Sequence, residues 1–358
     1  CNHRCEEACN RAQADQAVNI MALKRFVADW ARENLTPQPP SLKGNGEQEQ
    51  PATAGKGELE QEGLALGGKR VAVIGSGPAG LTCARDLARQ GCGVTVFEAL
   101  PVAGGMMRVG VPAYRLPLEV VQREIDDLLA EGIDLKLNHR IADAEALLAE
   151  YGAVFVAVGA HAGVKLPIPG NDLPGVLLAT DFLREVSYQV PVNSLQFSVS
   201  SVQSKGMVEA VREKRVLVLG GGNVAIDAAT IAVRLGAAWV GMTCLEGRGQ
   251  MPAHDWEVRD AEEEGIAVYP SRTFKEVTSQ DGQVTGVRTV QVNFRGFIEG
   301  RPDFDEIPNT EEILPADLVI FAIGQRPDSD CLKKATRLRG GRVQVDPESG
   351  LVFQRMGS

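Results

Sequence analysis

Two stretches of this chain repeat one pattern, VAVIGSGPAG at 71–80 and VLVLGGGNVA at 216–225. Each is an unbroken apolar run, then a glycine-rich turn, then an amphipathic run: PAGLTCARDLARQG in the first case, NVAIDAATIAVRLGA in the second. A continuous apolar run of this length marks a strand buried on both faces, and the run after it has helical spacing. The pair predicts two βαβ units and an α/β fold. In Gly75-x-Gly77-x-x-Gly80 the first glycine makes the tight turn. The second lets a pyrophosphate touch backbone, and the third lets helix and strand pack closely. Free N–H groups at the helix start then face the phosphates, with ~0.3–1 kcal/mol from the helix dipole. Candidate contacts here are Gly75, Ser76, Gly77, Pro78, Ala79 and Gly80. The second turn, Gly220-x-Gly222-x-x-Ala225, replaces the third glycine by alanine, and Asn223 and Val224 join its candidate contacts.

An acidic residue closing the next strand completes such a site, because its carboxylate accepts hydrogen bonds from an adenosine ribose. The first unit has Glu98 at the end of VTVFEA, and the second has Glu246 at the end of VGMTCLE. Glu246 bears on cofactor choice. A 2′-phosphate brought to about 4 Å would meet repulsion of order 4 kcal/mol at an effective dielectric near 20. Solvent and the nearby Arg248 reduce that figure without reversing its sign. The expectation is NAD, with NADP as the alternative.

The rest of the chain fits this frame. It has 358 residues, enough for two or three domains, and 39 of them are glycine, which suits many tight βα turns. A net charge of −10, with no basic block, argues against nucleic-acid binding. No apolar run is long enough to span a bilayer, and the amino end carries no charged-then-apolar leader, so the chain reads as cytoplasmic, with no membrane insertion. Residues 10–34 have amphipathic helical spacing, and 36–68 are rich in Gly, Gln, Glu and Pro, as a linker is. Residues 266–295 alternate in short β-type runs broken at Asp281-Gly282, the signature of an antiparallel meander. DLVIFAIG at 317–324 returns to the buried-strand style, whereas 189–207 show no clear period.

Seven cysteines are present, and Cys1, Cys5 and Cys9 crowd the amino end. Spaced by four, they lie along one helical face and could converge on one metal centre. A cubane cluster needs four ligands, so three reduced thiols is the other reading. No CxxC accompanies either glycine turn, which argues against a dithiol-cycling reductase. His3, His139, His161 and His254 are widely separated and read as surface or packing residues. Two dinucleotide sites in one chain have a simple chemical use: a nicotinamide delivers hydride to a second, tightly held carrier, most often a flavin.

The chain also resembles the iron–sulfur flavoprotein family of the glutamate synthase small (beta) subunit and its NAD(P)H-dependent relatives. The resemblance rests on CEEACNR at 5–11, ALKRFVADW at 22–30 and VAVIGSGPAGLTCARDLARQG at 71–91. It extends through GGMMRVGVPAYRLP at 104–117, VFVAVGAHAG at 154–163, ATDFLREV at 179–186 and GGGNVAIDAATIAVRLGA at 220–237. MPAHDWEVRDAEEEG at 251–265 and ADLVIFAIGQRPD at 316–328 complete it. It implies two Rossmann-like domains of pyridine nucleotide-disulfide oxidoreductase type, with the NAD domain inserted in the FAD domain, behind a short helical iron–sulfur-type segment. The implied boundaries are 1–35 for that segment, 36–68 for the linker, 69–185 and 310–358 for the FAD domain, and 186–309 for the NAD(P) domain. It further implies FAD contacts from Gly104, Gly105, Arg108, Gly110, Arg115, Ala157 and Gly159, and Gly324 where the two cofactor sites meet. Cys1, Cys5 and Cys9 would be ligands of a [4Fe–4S] cluster in the intact parent protein.

Two departures stand out. Family members carry YRR after the second strand of the inserted domain, where this chain has CLEGR at 244–248, a change that favours NAD. Members also continue to a Gly-Asp motif that holds the flavin's ribityl-phosphate arm. The motif is missing here, so the chain reads as a fragment, or as one that holds FAD weakly or not at all. The resulting expectation is an NADH-dependent electron-input subunit that passes electrons to a partner, such as a ferredoxin or a glutamate synthase large subunit. Its rivals are an NADPH-dependent glutamate synthase small subunit and a non-catalytic scaffold.

Overall fold

The computed structural model describes residue 27 and residues 68–189, 205–298, 300–336 and 343–352. The iron–sulfur-type segment with Cys1, Cys5 and Cys9, and the linker up to residue 67, lie outside the described residues, Val27 excepted. The described residues from 68 onward belong to one compact unit.

That unit opens with β1 (Arg70–Ile74), α1 (Pro78–Arg89), β2 (Gly93–Phe97), α2 (Met106–Val109), α3 (Leu118–Leu129), β3 (Asp134–Lys136) and β4 (Ala153–Val156). The four strands make a parallel sheet ordered β3-β2-β1-β4. Alternate residues of β1 face opposite sides, as the pleat requires. Val71 and Val73 pack with Ala84 of α1, while Ile74 packs with Ala144, Cys331, Leu332 and Ala335 on the other face. Leu81 of α1 meets Val121 and Ile125 of α3 in a satellite cluster.

A second parallel sheet follows. After β4 the chain forms β5 (Ala162–Gly163), β6 (Val176–Leu178), α4 (Ala179–Gln189), α5 (Lys205–Val211), β7 (Arg215–Leu219), α6 (Asn223–Arg234), β8 (Trp239–Thr243), α7 (Asp255–Glu263) and β9 (Ala267–Tyr269). Next come β10 (Arg272–Gln280), β11 (Gln283–Ile298), β12 (Arg301–Glu306), β13 (Glu312–Pro315), β14 (Leu318–Phe321) and β15 (Gln325–Arg326). The second sheet is ordered β6-β14-β7-β8-β9, and β5 pairs only with β15. Three layers result. Val216 and Val218 of β7 face the helices through Phe182, Ile226, Ala229 and Val258. Leu217 and Leu219 face the antiparallel β10–β13 layer through Phe274, Val277, Val287 and Leu314. Of the stretch 266–295 expected to form a meander, residues 272–295 lie in this layer, whereas β9 pairs in parallel with β8 in the second sheet. The layer's first turn is Asp281-Gly282, both with positive φ (52° and 76°), as a two-residue hairpin of type I′ demands.

The strand pairing departs from the domain limits read at 185/186 and 309/310. β6 and α4 precede residue 186, yet β6 pairs with β14 and α4 supplies Phe182 and Leu183 to the second helix layer. β14 follows residue 310, yet it sits between β6 and β7. Runs such as VLL and LVIF can be buried in either sheet, and only pairing decides which. The chain re-enters the first lobe at β15, after which Cys331, Leu332 and Ala335 cover Ile74.

Phe321 is 1% exposed and joins β14 to the antiparallel layer. Phe321→Ala should therefore cost ~3–5 kcal/mol in equilibrium urea unfolding, the range for emptying a large aromatic site.

Candidate dinucleotide clefts

The two glycine turns have the same backbone construction. Gly75 N–H donates to Phe97 O of β2, and Ala157 N–H, just past β4, donates to Ile74 O, both at 2.8 Å. In the second lobe Gly220 N–H donates to Thr243 O, and Ala322 N–H, just past β14, donates to Leu219 O, again at 2.8 Å. Each turn is thus held between strands on both sides. The fit admits no side chain. A Cβ on Gly75 (φ +106°) would lie 2.3 Å from Ala157 O, and one on Gly220 (φ +145°) would lie 2.4 Å from Ala322 O. Helices α1 and α6 begin immediately after, with Pro78 and Asn223 as their first residues. Proline suits that position because its missing N–H would have no helical partner there.

Each turn opens into a cleft of ligand size. The first, of about 460 Å³, is lined by Gly75, Gly77, Pro78, Ala79, Glu98, Gly105, Ala157 and Gly159 among the expected residues. The second, of about 640 Å³, is lined by Gly220, Gly222, Asn223, Val224, Glu246 and Gly324. The clefts share walls. Ala162 lines the first and Gly163 the second; Asp181 lines the first and Thr180 the second.

Glu98 is 6% exposed. Its Oε2 accepts from Ser76 N–H at 2.9 Å and Ser76 Oγ at 2.6 Å, and its Oε1 accepts from Leu100 N–H at 2.8 Å. Ser76 is therefore a support behind the turn rather than part of the cleft wall. Gly104 N–H also reaches Ser76 O at 3.0 Å, which brings the 104–110 segment against the first turn. A Cβ on Gly105 would come within 2.7 Å of Gly77 Cα. Gly80 packs beneath the turn, where a Cβ would lie 1.9 Å from Gly75 O. Ala225, its counterpart in the second turn, is fully buried. Gly110 lines a separate small cavity with Val111, Pro112 and Leu183.

The three arginines among the expected contacts line neither cleft. Arg108 lines neither cleft; it is 5% exposed, and its Nε and Nη1 have no hydrogen-bond partner among the described residues. Burial pulls its pKa below the ordinary arginine value. An orphaned, nearly buried cation next to a phosphate-type cradle fits an anionic cofactor. Arg115, by contrast, is consumed by an ion network between the lobes. Its guanidinium pairs with Asp227 of α6 and with Glu257 of α7, the latter at 2.6 Å. Tyr114 Oη donates to Asp227 Oδ1 at 2.9 Å, and Asn223 Nδ2 donates to Glu257 Oε2. Arg248 does not line the second cleft; its guanidinium grips Glu262 with both terminal nitrogens.

Several lining residues escaped the motif reading. His139 and His161, read as surface or packing residues, line the first cleft with Arg140, Arg184 and Asp328. Burial lowers the His161 pKa, so its imidazole is biased toward neutral. His139 follows β3 and His161 follows β4, and ligands in parallel sheets gather beyond the carboxyl ends of strands. That rule, applied to every strand rather than to the glycine turns alone, would have found both. In the second cleft Cys244 packs against Gly221, and burial, aided by Glu246, pushes its thiol up to about 12. It is a neutral wall rather than a nucleophile. Among the described residues no group of three His, Cys, Asp or Glu is placed to hold a metal ion, and no helix is long and apolar enough to cross a membrane.

Residues 69–350 match the pyridine nucleotide-disulphide oxidoreductase family along most of the chain. The chain belongs to that family. Members bind FAD and NAD(P). It is 36% identical, over 97% of its length, to the NADP(+)-dependent formate dehydrogenase subunit beta of Moorella thermoacetica. It is 32% identical, over 90% of its length, to the glutamate synthase [NADPH] small chain of Escherichia coli. The chain spans 48% of the first relative and 64% of the second. Among solved structures, the oxidoreductase FprA of Mycobacterium tuberculosis aligns with a TM-score of 0.59 at 19% identity, covering 79% of this chain and 74% of that one. The resemblance to the glutamate synthase small subunit group is thus shown, as is the two-sheet α/β fold class.

The interlobe network carries a pH signature. Burial raises the Asp227 pKa, and Arg115 opposes that rise. A carboxyl whose folded pKa exceeds its unfolded value holds its proton preferentially in the native state, so it lowers stability as pH rises through that interval. Replacing Arg115 by Met removes the opposing charge and extends the interval upward. Arg115→Met should cost ~3–5 kcal/mol near neutral pH, with a smaller loss at pH 5 than at pH 8. Urea unfolding at the two pH values checks this; a pH-independent loss would refute the role given to the ion pair.

Proposed function

We propose that the chain is an NADH-dependent, FAD-containing electron-input module that serves a protein acceptor. The observation that carries this reading is the shared wall: two anion cradles of one construction open into adjoining clefts, with neighbouring residues Ala162/Gly163 and Thr180/Asp181 facing opposite sides. Adjacency of this kind is what hydride transfer between two bound cofactors requires. FAD is assigned to the first cleft. There the Gly75–Gly77 backbone would face its pyrophosphate and Glu98 Oε1 retains acceptor capacity for a ribose hydroxyl, while Arg108, buried outside the cleft lining, adds an unspent positive charge nearby. When bound, FAD supplies the hydride acceptor that also releases electrons one at a time.

The nicotinamide dinucleotide is assigned to the second cleft. Gly220 and Gly222 would admit its pyrophosphate, and Glu246 its adenosine ribose. Asn223 commits its Nδ2 to Glu257, so Oδ1 is the end left to accept from a ligand. The charge around Glu246 supports NADH over NADPH, since Arg248, the guanidinium nearest in sequence, is spent on Glu262. The competing reading, NADPH, has the names of both relatives behind it.

The relatives are named as a subunit and a small chain, which supports a protein partner in general. We assign the acceptor to the ferredoxin or large-subunit class. Cys1, Cys5 and Cys9 would give three of the four thiolates of a [4Fe–4S] relay, the fourth coming from elsewhere.

Two measurements test the reading. The full chain, reconstituted with FAD, should hold flavin through gel filtration and oxidise NADH with ferricyanide as acceptor. Failure to retain flavin or to oxidise either nucleotide would leave the scaffold reading. For the cofactor choice, kcat/KM should favour NADH over NADPH in the parent, and Glu246→Ala should reduce that ratio about tenfold, the equivalent of ~1.4 kcal/mol. A parent that prefers NADPH would overturn the assignment.

A further inference from the structure

The long strand β11 outruns its neighbours. It pairs with β10 as far as Gln291 and with β13 over Gly286–Thr289, then continues with β12 alone to Ile298. It leaves the sheet beside the Glu246 turn: Ser271 N–H donates to Glu246 O at 2.9 Å, and Val292 N–H donates to Ser271 O at 2.8 Å. The two-stranded ribbon therefore starts at the end of the second cleft where Glu246 stands.

On a regular strand, residues three apart face opposite sides. Phe294 and Phe297 break that rule, for their rings meet edge-to-face at 5.4 Å. The register explains it. Phe294 pairs with Phe304, but Gly296 pairs with Asp303, so Arg295 is an extra residue and the ribbon bulges. Gly296 sits at φ +142°, a conformation that side chains rarely adopt. A bulge re-aims the side chain beyond it. The re-aimed residue is Phe297, opposite Pro302, and both line the second cleft. Arg295 is tied to Asp303 and Asp305, which holds the bulge in place. Phe297 is nonetheless 58% exposed, so much of an aromatic surface is open at the mouth of a nucleotide-sized cleft.

We propose that Phe297 is a base-stacking residue of the second cleft, packing its ring against the adenine of the dinucleotide. The Glu246 end is the adenosine end, and a flat apolar ring is the chemistry that a purine face recognises. The proposal rests on the reading of the second cleft as the dinucleotide site. No residue of the glycine turn can supply this contact, because none there is aromatic.

The test uses the full chain and ADP-ribose, which carries the adenine, the pyrophosphate and both riboses without the redox ring. Phe297→Ala should weaken its Kd about tenfold, within the range that base–aromatic stacking spans, while the thermal midpoint stays at the parent value. Phe297→Trp should restore binding, and its added indole fluorescence should be quenched as ADP-ribose saturates the site. A purely structural residue would not produce that quenching. Parent-like affinity in Phe297→Ala, or an unquenched indole in Phe297→Trp, would overturn the stacking role and leave the dinucleotide reading standing. A parent chain that does not bind ADP-ribose would overturn both.

Discussion

The close approach of each glycine turn to the strand beside it is the constraint on which both lobes depend. Gly75 touches the backbone at Ala157, and Gly220 touches it at Ala322, with no room for a side chain at either contact. The turn residue donates to the strand on one side, and the residue past the next strand donates back from the other. A helix start pinned in this way presents free N–H groups at a defined place, and a cleft opens in front of it. The two lobes reach one geometry with different third residues. Gly80 lies too close to Gly75 O for any Cβ, whereas Ala225 is accommodated with its methyl fully buried.

The relation between the lobes is set by charge as well as by chain connection. Tyr114 and Arg115 project from the first lobe onto Asp227 and Glu257 of the second, and Asn223 carries that network to the wall of the second cleft. Two carboxylates share one guanidinium and one phenol hydroxyl in a poorly hydrated place, and such an arrangement is costly to leave half-made. The same residues that join the lobes thereby fix which end of the Asn223 amide stays free at the second cleft. The lining of the second cleft and the join between lobes are chemically continuous.

Much of the lining of the two clefts is legible in the sequence. Gly75, Gly77, Glu98, Gly220, Gly222 and Glu246 each carry a local reason to be where they are: a tight turn, a close approach, or the end of a strand. Arg115 and Arg248 were misplaced because a charged side chain is claimed by whichever partner lies nearest in space. Asp227 and Glu257 come from helices far along the chain, and Glu262 comes from α7, 14 residues beyond Arg248. His139 and His161 were overlooked for the complementary reason, since nothing local to either residue sets it apart from an ordinary packing histidine. The bulge at Arg295-Gly296 leaves only a glycine in the sequence, and a glycine inside a strand has several meanings.

The chain alone determined that there would be two βαβ units, where their turns lie, and which carboxylate closes each one, because backbone sterics and short-range spacing govern those features. Strand neighbours belong to another class of fact. Whether β14 joins the first sheet or the second depends on which exposed strand edges it finds, and its own apolar run fits both. The shared wall of the two clefts, the interlobe ion network and the turned Phe297 depend likewise on residues remote in sequence meeting in space. Local preference carries no term for such meetings, so they were settled only when the sheets were assembled.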